Sequence, residues 1–166
     1  MAEALWGALL DGTVDIVATD HAPHLPAEKE AGRHDIWKAP GGFPRLQTWL
    51  PLMLDQVAKG RWTLVDLIRC CAEAPARLFG LYPRKGALEP GSDADLVIVD
   101  PTRTMTIDND SQVSRARVTP FAGRVVTGVP VLTMVRGQVV MRDGAVTGRP
   151  RGALVTPVRT SKGGAA

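Results

Sequence analysis

The chain has 166 residues, 45% of them hydrophobic and 22% charged, the composition of a globular protein long enough to bury a core. All 17 acidic side chains lie at or before Asp143, so the formal charge of +3 comes from Arg149, Arg151, Arg159 and Lys162, and no basic nucleic-acid face is expected on the folded part. No apolar run approaches 18 residues and Met1-Ala2-Glu3 lacks the basic region of a signal peptide, so neither membrane spanning nor export is expected; with the adjacent Cys70 and Cys71 unable to bridge each other, a cytoplasmic setting is expected.

Ala4, Leu5, Ala8 and Leu9 fall at helical spacing, with Gly12 placed to end a helix over residues 2–10. Val14, Ile16, Val17 and Ala18 are apolar on both faces, the pattern of a strand buried in a parallel sheet, and Asp20 stands at its carboxyl end. In α/β proteins ligand sites form in the loops after such strand ends, so a carboxylate there is a candidate for chemistry. Pro23 stiffens the loop and holds His24 at a fixed offset from Asp20. Residues 26–42 are polar and broken by Gly32, Pro40 and Gly41-Gly42, which predicts a long loop serving as a lid or substrate wall. Gly41 and Gly42 offer backbone to a ligand with no side chain in the way.

Leu46, Trp49, Leu50, Met53, Leu54 and Val57 predict an amphipathic helix closed by Gly60, and Thr63 with Asp66 predicts a capped start to the next. A short helix over 74–80 follows. Beyond Lys85 the period changes to that of strands, at 94–101, 102–107, 123–127, 131–136 and 138–142, and from Thr147 the glycine, proline and arginine content predicts a disordered tail. His21 reads as a structural hydrogen-bonding residue, His34 and Lys29 as solvated, and Cys70, Cys71, Trp49 and Met53 as core.

The run Ala18-Thr19-Asp20-His21-Ala22-Pro23-His24, with Lys29 five positions after the last histidine, resembles the signature of the dihydroorotase group of cyclic amidohydrolases. Gly42-Phe43-Pro44-Arg45-Leu46-Gln47-Thr48 resembles that group's Gly-Phe-Pro-Gly-Leu-Glu-Thr, departing from it at Arg45 and Gln47, and Ala74 to Leu81 resembles its Asn-Pro-Ala-x-x-Phe-Gly-Leu. Lys85-Gly86 through Leu96 and the run from Pro120 to Gly123 resemble half of its β-sandwich. The resemblance implies an α/β fold: the C-terminal part of a TIM-type (β/α)8 barrel in residues 1–84, part of a small β-sandwich in 85–146, and a tail in 147–166. These amount to about the last two-fifths of a complete enzyme.

It further implies hydrolysis of the C–N bond of a small cyclic amide, as between dihydroorotate and carbamoyl aspartate in pyrimidine biosynthesis, by metal-activated water. Asp20 matches the aspartate that both binds metal and transfers the proton, and His24 matches the histidine on the substrate carboxylate. Allantoinase or hydantoinase activity is the nearest alternative. The group's zinc uses a His-x-His pair, a carboxylated lysine and two further histidines besides the aspartate, whereas this chain has three histidines and no His-x-His. Only Asp20 carries over, and one carboxylate does not retain zinc; an improvised site from Asp20, His21 and His24 is the exception to weigh. The other expectation is a non-catalytic assembly protein or pseudoenzyme, and in both a complementing chain or a second copy of this one covers the exposed barrel edge.

Overall fold

The computed structural model describes residues 2–157, and the end of the expected tail, 158–166, lies outside them. The fold is mixed α/β: helices occupy the first half, and a four-stranded sheet of order β1-β2-β3-β4 occupies the second. The chain divides into two compact units, one of residues 1–17, 62–98 and 131–166 and the other of 18–61 and 99–130. Among the described residues no helix is long and apolar enough to cross a membrane.

In the first unit, helix α1 (Ala2–Leu10) sets the Trp6 ring edge-on to Trp62, with centroids 5.2 Å apart. Trp62, Leu9, Leu67, Cys70 and Ala76 are buried. Helix α4 (Leu64–Ile68) starts as expected: Thr63 Oγ1 accepts from the Asp66 amide at 3.1 Å, and the Asp66 carboxylate accepts from the Thr63 amide at 3.0 Å. The chain then widens into a π turn (Arg69–Glu73) and continues as α5 (Ala74–Leu78). Pro75 explains the widening, because it has no N–H to donate and its ring crowds the preceding turn. Burial raises both cysteine thiols, Cys71 to about 12, so neither is a nucleophile at neutral pH.

The same unit holds an ionic knot. Lys85 reaches Asp93 at 2.8 Å and Asp95, whose other oxygen accepts from the Arg136 amide at 2.7 Å. Burial opposes the Lys85 charge, and the two aspartates outweigh it and raise the amine. The last part of β2 (Val125–Val135) pairs antiparallel with β3 (Gln138–Arg142), with a bulge between Thr133 and Met134, and β3 pairs with β4 (Ala145–Val146).

The structure changes three expectations. The strand over 14–18 does not form, and residues 15–25 have no regular secondary structure. Val17 donates to Cys70 O at 3.1 Å, but no strand lies alongside to complete a ladder, and an apolar pattern alone does not make a strand. The expected loop over 26–42 contains α2 (Pro26–Lys29) and two 3-10 turns, Glu30–Gly32 and Ile36–Lys38, the second capped by Asp35 at 3.2 Å from the Trp37 amide. The strands expected at 94–101 and 102–107 are one, β1 (Leu96–Thr106), and those at 123–127 and 131–136 are joined as β2.

In the second unit Leu52, Ile107 and Val126 form a buried cluster with Met53, Met105 and Phe121 against it. Helix α3 (Leu46–Ala58) supplies Leu52 and, at its far end, the buried Asp55. The Asp55 carboxylate accepts from Lys59 Nζ at 2.5 Å, from the Thr127 amide at 3.2 Å and from Gln56 Nε2 at 3.2 Å. Burial opposes its ionisation, but the Lys59 and Thr127 hydrogen bonds and the charges of Lys59 and Arg124 outweigh it and hold the pKa below the ordinary value. The folded state thus favours the carboxylate, a contribution fully present above the unfolded pKa near 4 and lost as pH falls through the lowered one. Asp55→Asn should cost about 2 kcal/mol at pH 7. In urea unfolding from pH 7 to pH 3 the gap between the two proteins should narrow below about pH 4.

Candidate functional site

The signature residues all lie in the second unit. Asp20 is exposed and has φ 46°, in the left-handed region that costs a non-glycine residue about 1 kcal/mol and that aspartate tolerates better than most. Around Pro23 the His24 amide donates back to Ala22 O at 2.9 Å, a three-residue turn. His24 Nδ1 then lies 3.5 Å from Glu28 Oε2, in a pair with both side chains partly in water that contributes little stability. Glu28 is committed elsewhere, accepting from the Leu25 amide at 2.6 Å.

Three ties bind this loop to the segment leading into α3. The Ala22 amide donates to Phe43 O at 3.2 Å. Lys29 Nζ donates to Gly42 O at 2.6 Å and to Pro40 O. His21 Nδ1 lies 3.0 Å from the Arg45 amide and 3.1 Å from the Leu46 amide. Backbone amides only donate, so Nδ1 is the acceptor and the imidazole carries its proton on Nε2. His21 thus does for α3 what a capping oxygen does elsewhere, as its structural reading anticipated. Lys29 is the residue that sequence reasoning missed. Read as solvated, it is partly buried and bound to carbonyls 11 and 13 positions away, and the signal was its place within the signature.

Gly42 is held in turn, with φ 82° and space for no side chain: a Cβ there would stand 2.7 Å from the Ala22 Cβ. Gly41, Gly42, Phe43 and Lys29 help to wall a cleft of about 740 Å³ that Arg33 and Trp37 also line. Asp20 and His24 stand outside that wall, so two of the expected site residues share the cleft and two do not.

Both departures from the signature have local explanations. Gln47 Nε2 donates to Ser111 O at 2.8 Å while its Oε1 accepts from the Val113 amide at 2.8 Å, a pairing that needs a donor and an acceptor and that a glutamate cannot make. The Arg45 guanidinium lies 4.0 Å from the Phe43 ring centre, and Phe43 packs at 73° against Phe121.

The family model described as Amidohydrolase family matches residues 1–140. The chain belongs to the amidohydrolase family. This amidohydrolase chain is 47% identical over 143 residues to the L-hydantoinase of Paenarthrobacter aurescens, which covers 86% of this chain and 31% of that protein. It is 48% identical over 133 residues to the dihydroorotase of Methanothermobacter thermautotrophicus, covering 80% and 30%. The solved D-hydantoinase (dihydropyrimidinase) from Thermus sp. superposes with a TM-score of 0.85 at 36% identity, over 89% of this chain and 32% of that one. The amidohydrolase chain therefore spans about a third of the length of these relatives, less than the two-fifths expected from the motifs.

Amidohydrolases are generally metal-dependent, and the residues described here do not fit a metal by themselves. No group of three or more histidine, cysteine, aspartate or glutamate side chains among them is placed to hold an ion. The trio Asp20, His21 and His24 is not such a group, and Nδ1 of His21 is already occupied by two amides.

Two substitutions test this geometry. Gly42→Ala should cost about 2 kcal/mol, from the left-handed backbone and the contact with Ala22, and Ala22→Gly in the same chain should return only the part due to contact. Gln47→Glu should cost about 1 kcal/mol by leaving Ser111 O without its donor. Urea unfolding midpoints measure both.

Proposed function

We propose that this chain carries the proton-transfer carboxylate and part of the substrate wall of an enzyme that hydrolyses the C–N bond of a cyclic amide, with dihydroorotate as the substrate. The observation that carries the reading is the signature loop held against the Gly41-Gly42-Phe43 segment, with His21 and Lys29 used to hold it and the Asp20 carboxylate left exposed. Identities of 48% to a dihydroorotase and 47% to an L-hydantoinase support the reaction class and keep hydantoin-type rings as the second reading. In the complete fold of this reading residues 1–84 belong to the end of a TIM-type barrel and 85–146 to part of a β-sandwich. The enzyme is cytoplasmic, binds neither nucleic acid nor membrane, and takes zinc, whose ligands other than Asp20 come from outside the described residues, on the same polypeptide or on a complementing chain.

The work of this chain's own residues follows from their chemistry. Hydrolysis adds water across the amide, so a proton must leave the attacking water and reach the ring nitrogen as the C–N bond breaks. Asp20 moves that proton. His24 donates a hydrogen bond to the substrate carboxylate and fixes the ring for attack, and Gly41 and Gly42 let the ring approach the backbone.

A graft tests the reading. The 133-residue match in the Methanothermobacter thermautotrophicus dihydroorotase is replaced by the corresponding residues of this chain, and hydrolysis of dihydroorotate and of hydantoin is measured. Dihydroorotate should turn over, and Asp20→Asn should lower kcat by about a hundredfold or more. His24→Ala should raise KM about tenfold for dihydroorotate and leave it within about threefold for hydantoin, which has no carboxylate. Hydantoin turnover alone would favour the second reading, and a folded, metal-loaded graft that hydrolyses neither would favour an assembly role.

A further inference from the structure

We propose that Lys29 is a positioning residue: its ammonium sets the Pro40–Gly41 and Gly42–Phe43 peptide planes, and with them the wall that receives the substrate. The inference rests on the reading of Gly41 and Gly42 as substrate contacts.

Lys29 sits between two glutamates in sequence and pairs with neither. Glu28 takes the Leu25 amide, and Glu30 takes Arg33 at 2.6 Å. Lys29 instead reaches two neutral carbonyl oxygens, those of Pro40 and Gly42, two residues apart on the same segment. An ammonium gains less from a neutral carbonyl than from a carboxylate, so what this arrangement supplies is orientation more than charge pairing. A peptide group is planar and trans, with its N–H opposite its C=O. Turning both carbonyls to one ammonium therefore turns the Gly41 and Phe43 N–H groups to the side away from it. Neither N–H meets an acceptor among the described residues, which leaves both open to water or to a ligand oxygen. The segment is braced from a second direction by the Ala22 amide on Phe43 O and by the closeness of Gly42 to the Ala22 methyl group. Backbone with no ladder partner has many orientations open to it, and a lysine with three donors on a partly buried stem is suited to selecting one.

The experiment has two arms. In the 166-residue chain without substrate, amide exchange is followed by NMR in wild type, Lys29→Met and Lys29→Arg. Lys29→Met should speed exchange at Ala22, Arg45 and Leu46 about tenfold or more while leaving Val17 and Thr127, held by Cys70 O and Asp55, unchanged. In the graft, Lys29→Met should raise KM for dihydroorotate about tenfold with kcat changed less than about threefold, and Lys29→Arg, which keeps its donors, should recover most of the loss. Should Lys29→Met fail to fold, Gly42→Ala displaces the same wall from its other side and should give the same split between KM and kcat.

Unchanged exchange at the three amides would overturn the proposal, as would protection lost throughout the chain, which marks a general structural role. Lost protection with KM unchanged would overturn the positioning of substrate. A graft inactive even with Lys29 in place would count against the proposed reaction, and the exchange arm would still decide whether Lys29 holds the wall.

Discussion

Backbone groups in a segment without helix or strand must still find partners, and at this site one ammonium and one imidazole supply them. Lys29 takes the carbonyls of Pro40 and Gly42, and His21 takes the amides of Arg45 and Leu46. An unpaired buried amide or carbonyl costs about 1–3 kcal/mol, so these two side chains allow the 40–46 segment to be ordered and irregular at once. Everything else at the site is placed by that arrangement: the start of α3, the approach of Gly42 to Ala22, and the exposed Asp20 at the head of the loop. The division of labour is chemical. A histidine that accepts through Nδ1 and a lysine that donates to carbonyls are spent on structure, while the Asp20 carboxylate stays exposed.

The departures at Arg45 and Gln47 look at first like changes of substrate. Gln47 is instead fixed by its contacts with Ser111 and Val113, which require an amide, and this takes it out of any argument about specificity. Arg45 covers the Phe43 ring through its guanidinium plane, and its Nε is buried with no acceptor among the described residues. The identities to a dihydroorotase and to an L-hydantoinase are similar, 48% and 47%.

Much of this was legible in the sequence where a pattern has a local cause. The period of three and four from Leu46 to Val57 gave α3 to within a residue, and the Thr63 and Asp66 pair gave the start of α4, because both rest on contacts within one helix. The strand at 14–18 was not legible as an outcome, since its apolar pattern needs neighbours that these residues do not provide. The turns within 26–42 escaped because Asp35 and Glu28 hold them by single side-chain contacts that have no period. Lys29 escaped for a related reason: its partners are carbonyls, which a sequence does not display as a type. The resemblance singled out Asp20, His24, Gly41 and Gly42, but not that only Gly41 and Gly42 would line the same cleft, which depends on how the loop folds back.

On the proposed reading the chain supplies one metal ligand, Asp20, because His21 is already committed to α3. Zinc needs three or four such ligands to be held firmly. The most direct test is zinc per chain, by elemental analysis of the purified 166-residue protein after dialysis against metal-free buffer. A value close to zero is the predicted result and sends the search to the remaining ligands beyond these residues. A value close to one would contradict the account, because His21 would have to give up α3 or a site would have to assemble from residues that the structure keeps apart.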